Sequence, residues 1–216
     1  MSEHTRQIFD SLLADWVALA GPDAAQVGRD LIARYQEPHR RYHTVEHLAH
    51  MLDLLDTLAD EAEDHTAVRY AAWFHDAVYD SDGDSPLSNE ERSARLAENV
   101  MTALHAPPAL IAETSRLVRL TAAHRPELGD ANGMVLCDAD LAILGSAPDD
   151  YLRYCAQVRE EYRRYSDDEF RVGRTAVLRS LLDCRTIYWT VLARDRYEAA
   201  ARRNMADELA GLAMPV

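Results

Sequence analysis

Three separated stretches of the chain carry residue types that bind divalent metal ions. The central stretch is the adjacent pair His75-Asp76, which closes the apolar run Tyr70–Phe74. Residues 42–47 (Tyr-His-Thr-Val-Glu-His) precede it, and residues 137–141 (Cys-Asp-Ala-Asp-Leu) follow it. Imidazole nitrogen and carboxylate oxygen together accept Mn, Fe, Ni, Co, Zn or Mg. The three stretches therefore predict a buried His/His-Asp/Asp site whose divalent metal ion could activate a water.

The elements that must position these residues are predicted to be helices. Apolar residues recur at spacings of three and four along the chain, and strict alternation is rare. Ser88 with Glu91 three residues later resembles a capping box. The polar loop 80–86, directly after the His-Asp pair, is expected at the rim of a pocket. The predicted helices cover 4–19, 23–36, 43–60, 65–79, 88–104, 108–124, 134–144, a segment from 148, 167–184, 186–198 and 199–212.

The composition indicates a globular protein and excludes several classes of function. The sequence has no repeat, linker or shift of composition, so we predict one all-α domain over 1–216, with the metal-site core at about 40–162. The net charge of -14 argues against a nucleic-acid polymer or an anionic membrane as partner. No segment predicts a membrane span or a signal peptide, and three distant cysteines do not predict a disulfide framework. These features favour a cytoplasmic protein; they do not indicate its oligomeric state.

The order His…His-Asp…Asp on successive helices resembles the HD superfamily of metal-dependent phosphohydrolases. The segments RYHTxEH, WFHD, NEExSA and DADLAILG are closest to a bacterial branch known only as predicted HD phosphohydrolases. That resemblance runs from about Arg40 to Tyr162. The Tyr42-His43-x-x-x-His47 segment is also similar to one in cyclic-nucleotide phosphodiesterases. The resemblance implies an HD-type helical bundle that binds one divalent metal ion, or two.

The resemblance also implies a role for each matching residue. In the phosphodiesterase segment the second histidine binds metal and the first protonates the leaving group, which makes His47 the ligand and His43 the general acid. An alternative alignment with the His-Ser/Thr-x-x-Val motif makes His43 the ligand. Ala139-Asp140-Leu141 matches the Ala-Asp-x-Leu motif, which favours Asp140 over Asp138 as the last ligand. The implied metal ligands are His47, His75, Asp76 and Asp140.

Several further residues are candidates for the catalytic and substrate-binding parts of the site. Asn89 and Glu90 match the family's helix behind the metals, so they would position water molecules. Arg41, His124 and Arg159 are candidates for contacts with phosphate. Both arginines could equally form salt bridges, and His124 could bind a second metal ion or cap its helix.

Together these features predict hydrolysis of a phosphate ester by a metal-activated water. The partner would be a small phosphorylated molecule, either a nucleotide or a metabolite. Two alternatives use the same fold. One is a di-iron oxygenase or a hydratase, and the other is a regulator that binds a nucleotide without cleaving it.

Overall fold

Ten α-helices form the described part of the chain, residues 3–80 and 85–213 of a computed structural model. Those residues contain no β-strand, which confirms the all-α prediction. Residues 81–84, within the predicted polar loop, lie outside the described residues. Three 3-10 helices add Pro22–Ala24, Ala59–Glu61 and Leu141–Gly145. The α-helices are α1 (Glu3–Ala20), α2 (Ala25–Tyr35), α3 (Val45–Thr57), α4 (His65–Phe74), α5 (Asn89–Ala103), α6 (Pro108–Leu120), α7 (Ala131–Asp140), α8 (Pro148–Glu161), α9 (Asp167–Leu182) and α10 (Val191–Leu212).

The chain divides into two compact units, Met1–Cys137 and Asp138–Val216. The first unit contains α1 to α6, and the second contains α8 to α10. The assignment of residues 1–216 to one domain stays a prediction.

An aromatic cluster forms part of the core of the first unit. Trp16 of α1 is fully buried, and its ring meets three rings of α4 edge-on at 5.2 to 6.0 Å between centroids. Those rings belong to Tyr70, Trp73 and Phe74. Gly28 of α2 lets the helices approach, because a Cβ atom there would lie 2.5 Å from the Trp16 ring. Each aromatic pair stabilises the fold by about 0.5–1.5 kcal/mol beyond the free energy of burying its apolar area.

Helix α4 delivers the His-Asp pair at its carboxyl end. Asp64 caps its first turn by accepting from the Ala67 amide at 2.9 Å. The prediction of a helix over 65–79 is wrong at its end, because α4 stops at Phe74. The physical reason lies on α5, where the Ser93 hydroxyl contacts both the amide and the carbonyl of Val78 at 3.0 and 3.3 Å. The chain after the pair is thus held by a side chain rather than by helical hydrogen bonds.

Ion pairs link α5 to α6. Ser88 caps α5 as predicted by accepting from the Glu91 amide at 3.2 Å. The Glu91 carboxylate does not complete the predicted capping box by bonding back to Ser88. It accepts hydrogen bonds from Arg119 of α6 at 2.6 Å and from Arg95 at 2.7 Å. These bonds, chiefly that from Arg119, lower the pKa of Glu91 to about 2. Helix α6 ends at Leu120 rather than at 124.

In the second unit, α10 packs on the 3-10 helix Leu141–Gly145. Gly145 is required there, because a Cβ atom would lie 2.5 Å from the Cβ of Tyr197 on α10. The predicted helix 134–144 is wrong in its bounds: α7 covers Ala131–Asp140, and the 3-10 helix follows.

The predicted helices 186–198 and 199–212 are also wrong, because one helix, α10, covers Val191–Leu212. The segment before it does not continue the helix, since carboxylates accept its amides. Glu198 accepts from Ile187 and Tyr188 at 3.0 and 3.1 Å. Asp138 accepts from the two residues that follow, Trp189 and Thr190, at 2.8 and 2.7 Å.

Candidate metal centre

Two histidines from separate helices bring their ring nitrogens together inside the first unit. His47 lies in the first turn of α3 and His75 directly follows α4. They are 6% and 1% exposed, and their Nε2 atoms lie 3.2 Å apart. Two imidazole nitrogens that bind one tetrahedral ion at 2.0–2.1 Å would be separated by about 3.3 Å. The observed separation therefore fits a pair of ligands to one ion.

The hydrogen bond of His75 leaves its Nε2 atom suited to bind metal. Its Nδ1 atom lies 2.7 Å from the carbonyl oxygen of Ala72. A carbonyl can only accept, so Nδ1 carries the proton and Nε2 of the neutral ring keeps its lone pair. Metal-binding histidines usually donate through the second ring nitrogen in this way, which fixes the tautomer and the orientation of the ring.

The carboxylate of Asp76 lies among three imidazoles. Its Oδ2 atom is 3.0 Å from Nε2 of His75, 3.9 Å from Nε2 of His43 and 4.0 Å from Nε2 of His47. The Asp76 side chain is 15% exposed, so it can reach both the buried histidines and a molecule that enters from solvent. Nitrogen and oxygen ligands of this mixture suit first-row divalent metals.

The ring nitrogens of the two histidines could hold a metal ion. Asp140 belongs to the second unit, and its role as a ligand stays a prediction. Asp138, the alternative to Asp140, is fully buried and accepts from the amides of Trp189 and Thr190. Its carboxylate thus fixes the start of α10.

His43 lies at the more exposed side of these residues. Its ring stacks on Tyr79 at 4.2 Å and 27°, and it meets Tyr42 edge-on at 4.9 Å. Its side chain is 21% exposed. The two aromatic contacts restrict the rotation of the imidazole while part of it stays open to solvent. His43 therefore presents part of its ring to solvent beside Asp76, and its role as the general acid stays a prediction.

Helix α5 holds the segment that follows Asp76. The Asn89 side chain accepts from the amide of Asp80 and donates to its carbonyl, both at 3.1 Å. Its amide group therefore anchors this segment, and its role toward water molecules stays a prediction. Glu90, the next residue of α5, is half-buried, and its role also stays a prediction.

The three candidates for phosphate contact have different surroundings. Arg41 donates to the carbonyls of Pro38 and Arg40 at 2.7 and 2.8 Å. His124 is half-buried in the turn after α6, with a φ of 51°. Their contacts with phosphate stay predictions.

Arg159 joins the end of α8 to the start of α9. It bonds Asp167 at 2.6 Å and the carbonyls of Tyr162 and Tyr165 at 3.0 Å. These bonds correspond to the salt-bridge alternative for this residue, and its contact with phosphate stays a prediction.

Arg40, which no sequence pattern singled out, lies beside the site. Its guanidinium donates through Nη1 to the carbonyls of His43 and Asp76 at 3.1 and 2.8 Å. The residue is 3% exposed. Arg40 and Arg41 are adjacent and chemically identical, so one sequence offers no signal that tells the buried arginine from its neighbour.

No family model, curated protein or solved structure matches this chain. Across the described residues, no helix has both the length and the apolarity that a membrane span requires.

Proposed function

We propose that the protein is a metal-dependent phosphohydrolase that cleaves a phosphate ester of a nucleotide or a small phosphorylated metabolite. One observation carries the proposal: the Oδ2 atom of Asp76 lies 3.0 to 4.0 Å from the Nε2 atoms of three histidines. Two of these histidines are buried and the third is partly exposed. Such a set combines metal ligands with a separate proton donor.

The buried members of the set would hold the ion. His47 and His75 offer ligand atoms close to one another, and Asp76 adds an oxygen beside them. Asp140 would be the last ligand. When bound, a divalent metal offsets the negative charge of phosphate and lowers the pKa of water toward neutrality. This assignment makes His47, rather than His43, the ligand of the Tyr42–His47 segment.

The remaining residues would handle protons. The Asp76 carboxylate accepts a hydrogen bond from the water that attacks phosphorus and so orients it. It also takes up the proton that the water loses as its oxygen bonds to phosphorus. The bond between phosphorus and the leaving oxygen then breaks, and Nε2 of His43 gives that oxygen a proton. Histidine suits this step because its ordinary pKa lies near neutrality.

The test combines metal content with turnover for three variants of the full chain. The protein is purified without chelator, its metal is measured by mass spectrometry, and phosphate release is followed from an aryl phosphate and a nucleotide panel with Mn, Mg, Ni, Co or Fe. We expect Asp76→Ala to lose both metal and turnover. We expect His43→Gln to keep the metal and lose about 10²–10⁴-fold in kcat, the usual contribution of a general acid. His50→Gln, at an exposed position of α3, is the matched control and should change neither.

Three results would contradict the proposal. Unchanged activity in Asp76→Ala would remove its basis. Bound metal with no phosphate released from any compound would exclude the hydrolase, and iron-dependent oxygen uptake would then indicate the oxygenase alternative. A nucleotide that binds without cleavage would indicate a regulator.

A further inference from the structure

Arg40 is a buried cation whose hydrogen bonds reach the main chain of two site residues. Its Nη1 atom donates to the carbonyl of His43 at 3.1 Å and to that of Asp76 at 2.8 Å. The two carbonyls belong to segments 33 residues apart in the sequence, one before α3 and one after α4. One nitrogen atom therefore sets the distance between the main chains that carry the proposed acid and the central carboxylate.

The guanidinium also contacts the carboxylate of Glu37 and two tyrosine rings. Nε donates to Glu37 at 3.2 Å, and the ion pair with the same carboxylate balances the buried charge. The Cζ atom lies 5.2 Å from the ring centroid of Tyr35 and 5.4 Å from that of Tyr79. Arginine suits such a position because its planar group can stack on rings and bond several acceptors at once.

The two tyrosines connect Arg40 to the imidazoles of the site. The Tyr79 ring that faces Arg40 also stacks on His43 at 4.2 Å. The hydroxyl of Tyr35 donates to the carbonyl of Trp73 at 3.2 Å, in the last turn of α4 before His75. Movement of the guanidinium would thus disturb the His43 ring as well as its main chain.

Another arginine of the first unit shows what a purely stabilising role looks like. Arg69 of α4 is also largely buried, with a side chain 13% exposed, and it pairs with the carboxylates of Asp15 and Asp56. Its bonds within the described residues go to these two carboxylates and not to a histidine or to the main chain of the site. Both arginines are buried, but only the hydrogen bonds of Arg40 go to the main chain of site residues. Those acceptors are the reason to assign Arg40 to the site.

We propose that Arg40 is a positioning residue, which holds His43 and Asp76 at the separation that metal binding and proton transfer require. The inference rests on the proposed function for the role of His43 as the acid. The expected effects of Arg40 on imidazole geometry and on metal affinity do not depend on whether the protein turns over a substrate.

The test compares Arg40→Gln and Arg40→Lys with the matched control Arg69→Gln in the full chain. The first measurement is nuclear magnetic resonance of the histidine side chains, labelled with ¹⁵N, in metal-free protein. We expect the His43 resonances to shift or broaden in Arg40→Gln and to keep their positions in Arg69→Gln. His65, whose Nε2 atom lies 3.1 Å from the Leu55 carbonyl, is the internal reference.

The second measurement is the dissociation constant for Co²⁺, followed by visible absorption. Loss of a residue that orients metal ligands typically weakens affinity by about 10- to 100-fold. We expect that loss in Arg40→Gln and a smaller one in Arg40→Lys, whose ammonium cannot bond both carbonyls and Glu37 together. If Arg40→Gln fails to fold, Arg40→Lys carries the same comparison.

The outcomes separate this inference from the proposed function. Altered His43 resonances with weaker Co²⁺ binding in the Arg40 variants alone would support the positioning role, even if the wild type releases no phosphate. If the wild type binds no Co²⁺, the proposed function fails and the resonances alone decide on Arg40. His43 resonances and Co²⁺ affinity that match those of Arg69→Gln would overturn the inference.

Discussion

Replacing Asp138 with alanine should destabilise the second unit strongly. The carboxylate is fully buried and accepts from the amides of Trp189 and Thr190 at 2.7 to 3.1 Å. Each hydrogen bond to a charged group contributes about 1.5–3 kcal/mol, and the desolvation of the carboxylate offsets part of that sum. We expect a net loss of about 4 kcal/mol, which lowers Tm by about 8–16 °C for a chain of this length.

Two further variants and two measurements make this prediction specific. The Tm and the urea midpoint of metal-free protein are followed by circular dichroism. Asp138→Asn keeps one acceptor oxygen, so it should lose about 2–3 kcal/mol, less than Asp138→Ala. Asp149→Ala removes an exposed carboxylate from the first turn of α8 and should cost at most about 1 kcal/mol. If Asp138→Ala were no less stable than Asp149→Ala, the buried carboxylate would not fix the start of α10.

Two other predictions concern single contacts described above. Because the folded pKa of Glu91 lies at about 2, below its ordinary 4.5, its ion pairs stabilise the fold above about pH 4.5 and lose that effect as the pH falls toward 2. Glu91→Gln should therefore make Tm less dependent on pH in this range, and equal slopes in both proteins would contradict the prediction. Gly145→Ala should cost about 1–3 kcal/mol in urea unfolding, because the new Cβ atom would overlap Tyr197. Gly173→Ala, on α9 with open space around it, is its control and should be neutral or stabilising; equal costs for the two changes would refute the overlap.

The pairing of His47 with His75 is the part of the site that the sequence could predict. Apolar spacing places His75 at the buried end of a helix, and it places His47 on a face that borders the apolar stripe of the predicted helix 43–60. Patterns of this kind predict positions in the folded protein, because the apolar face that stabilises the helix also decides which of its side chains are buried. The choice of Asp140 over Asp138 as a ligand rests on the resemblance of Ala139-Asp140-Leu141 to a motif, and it stays a prediction.

The sequence could not predict where hydrogen bonds to distant side chains end a helix. Val78 leaves the helical pattern because a hydroxyl 15 residues later takes up both of its backbone groups. The amide of Ile187 is likewise taken by a carboxylate 11 residues away. Helical periodicity reports neighbours three and four residues apart, so it contains no information about such distant partners. Arg40 was missed for the same reason, since its acceptors lie up to 36 residues away.

The aromatic cluster around Trp16 also has an optical consequence. The chain contains three tryptophans: Trp16 and Trp73 are fully buried in the first unit, and Trp189 belongs to the second. In Trp189→Phe the tryptophan fluorescence comes from the first unit alone. Replacing the other two with phenylalanine leaves an emission that reports only the second. Unfolding curves recorded on these two proteins would reveal whether the units melt together or in sequence, without cutting the chain.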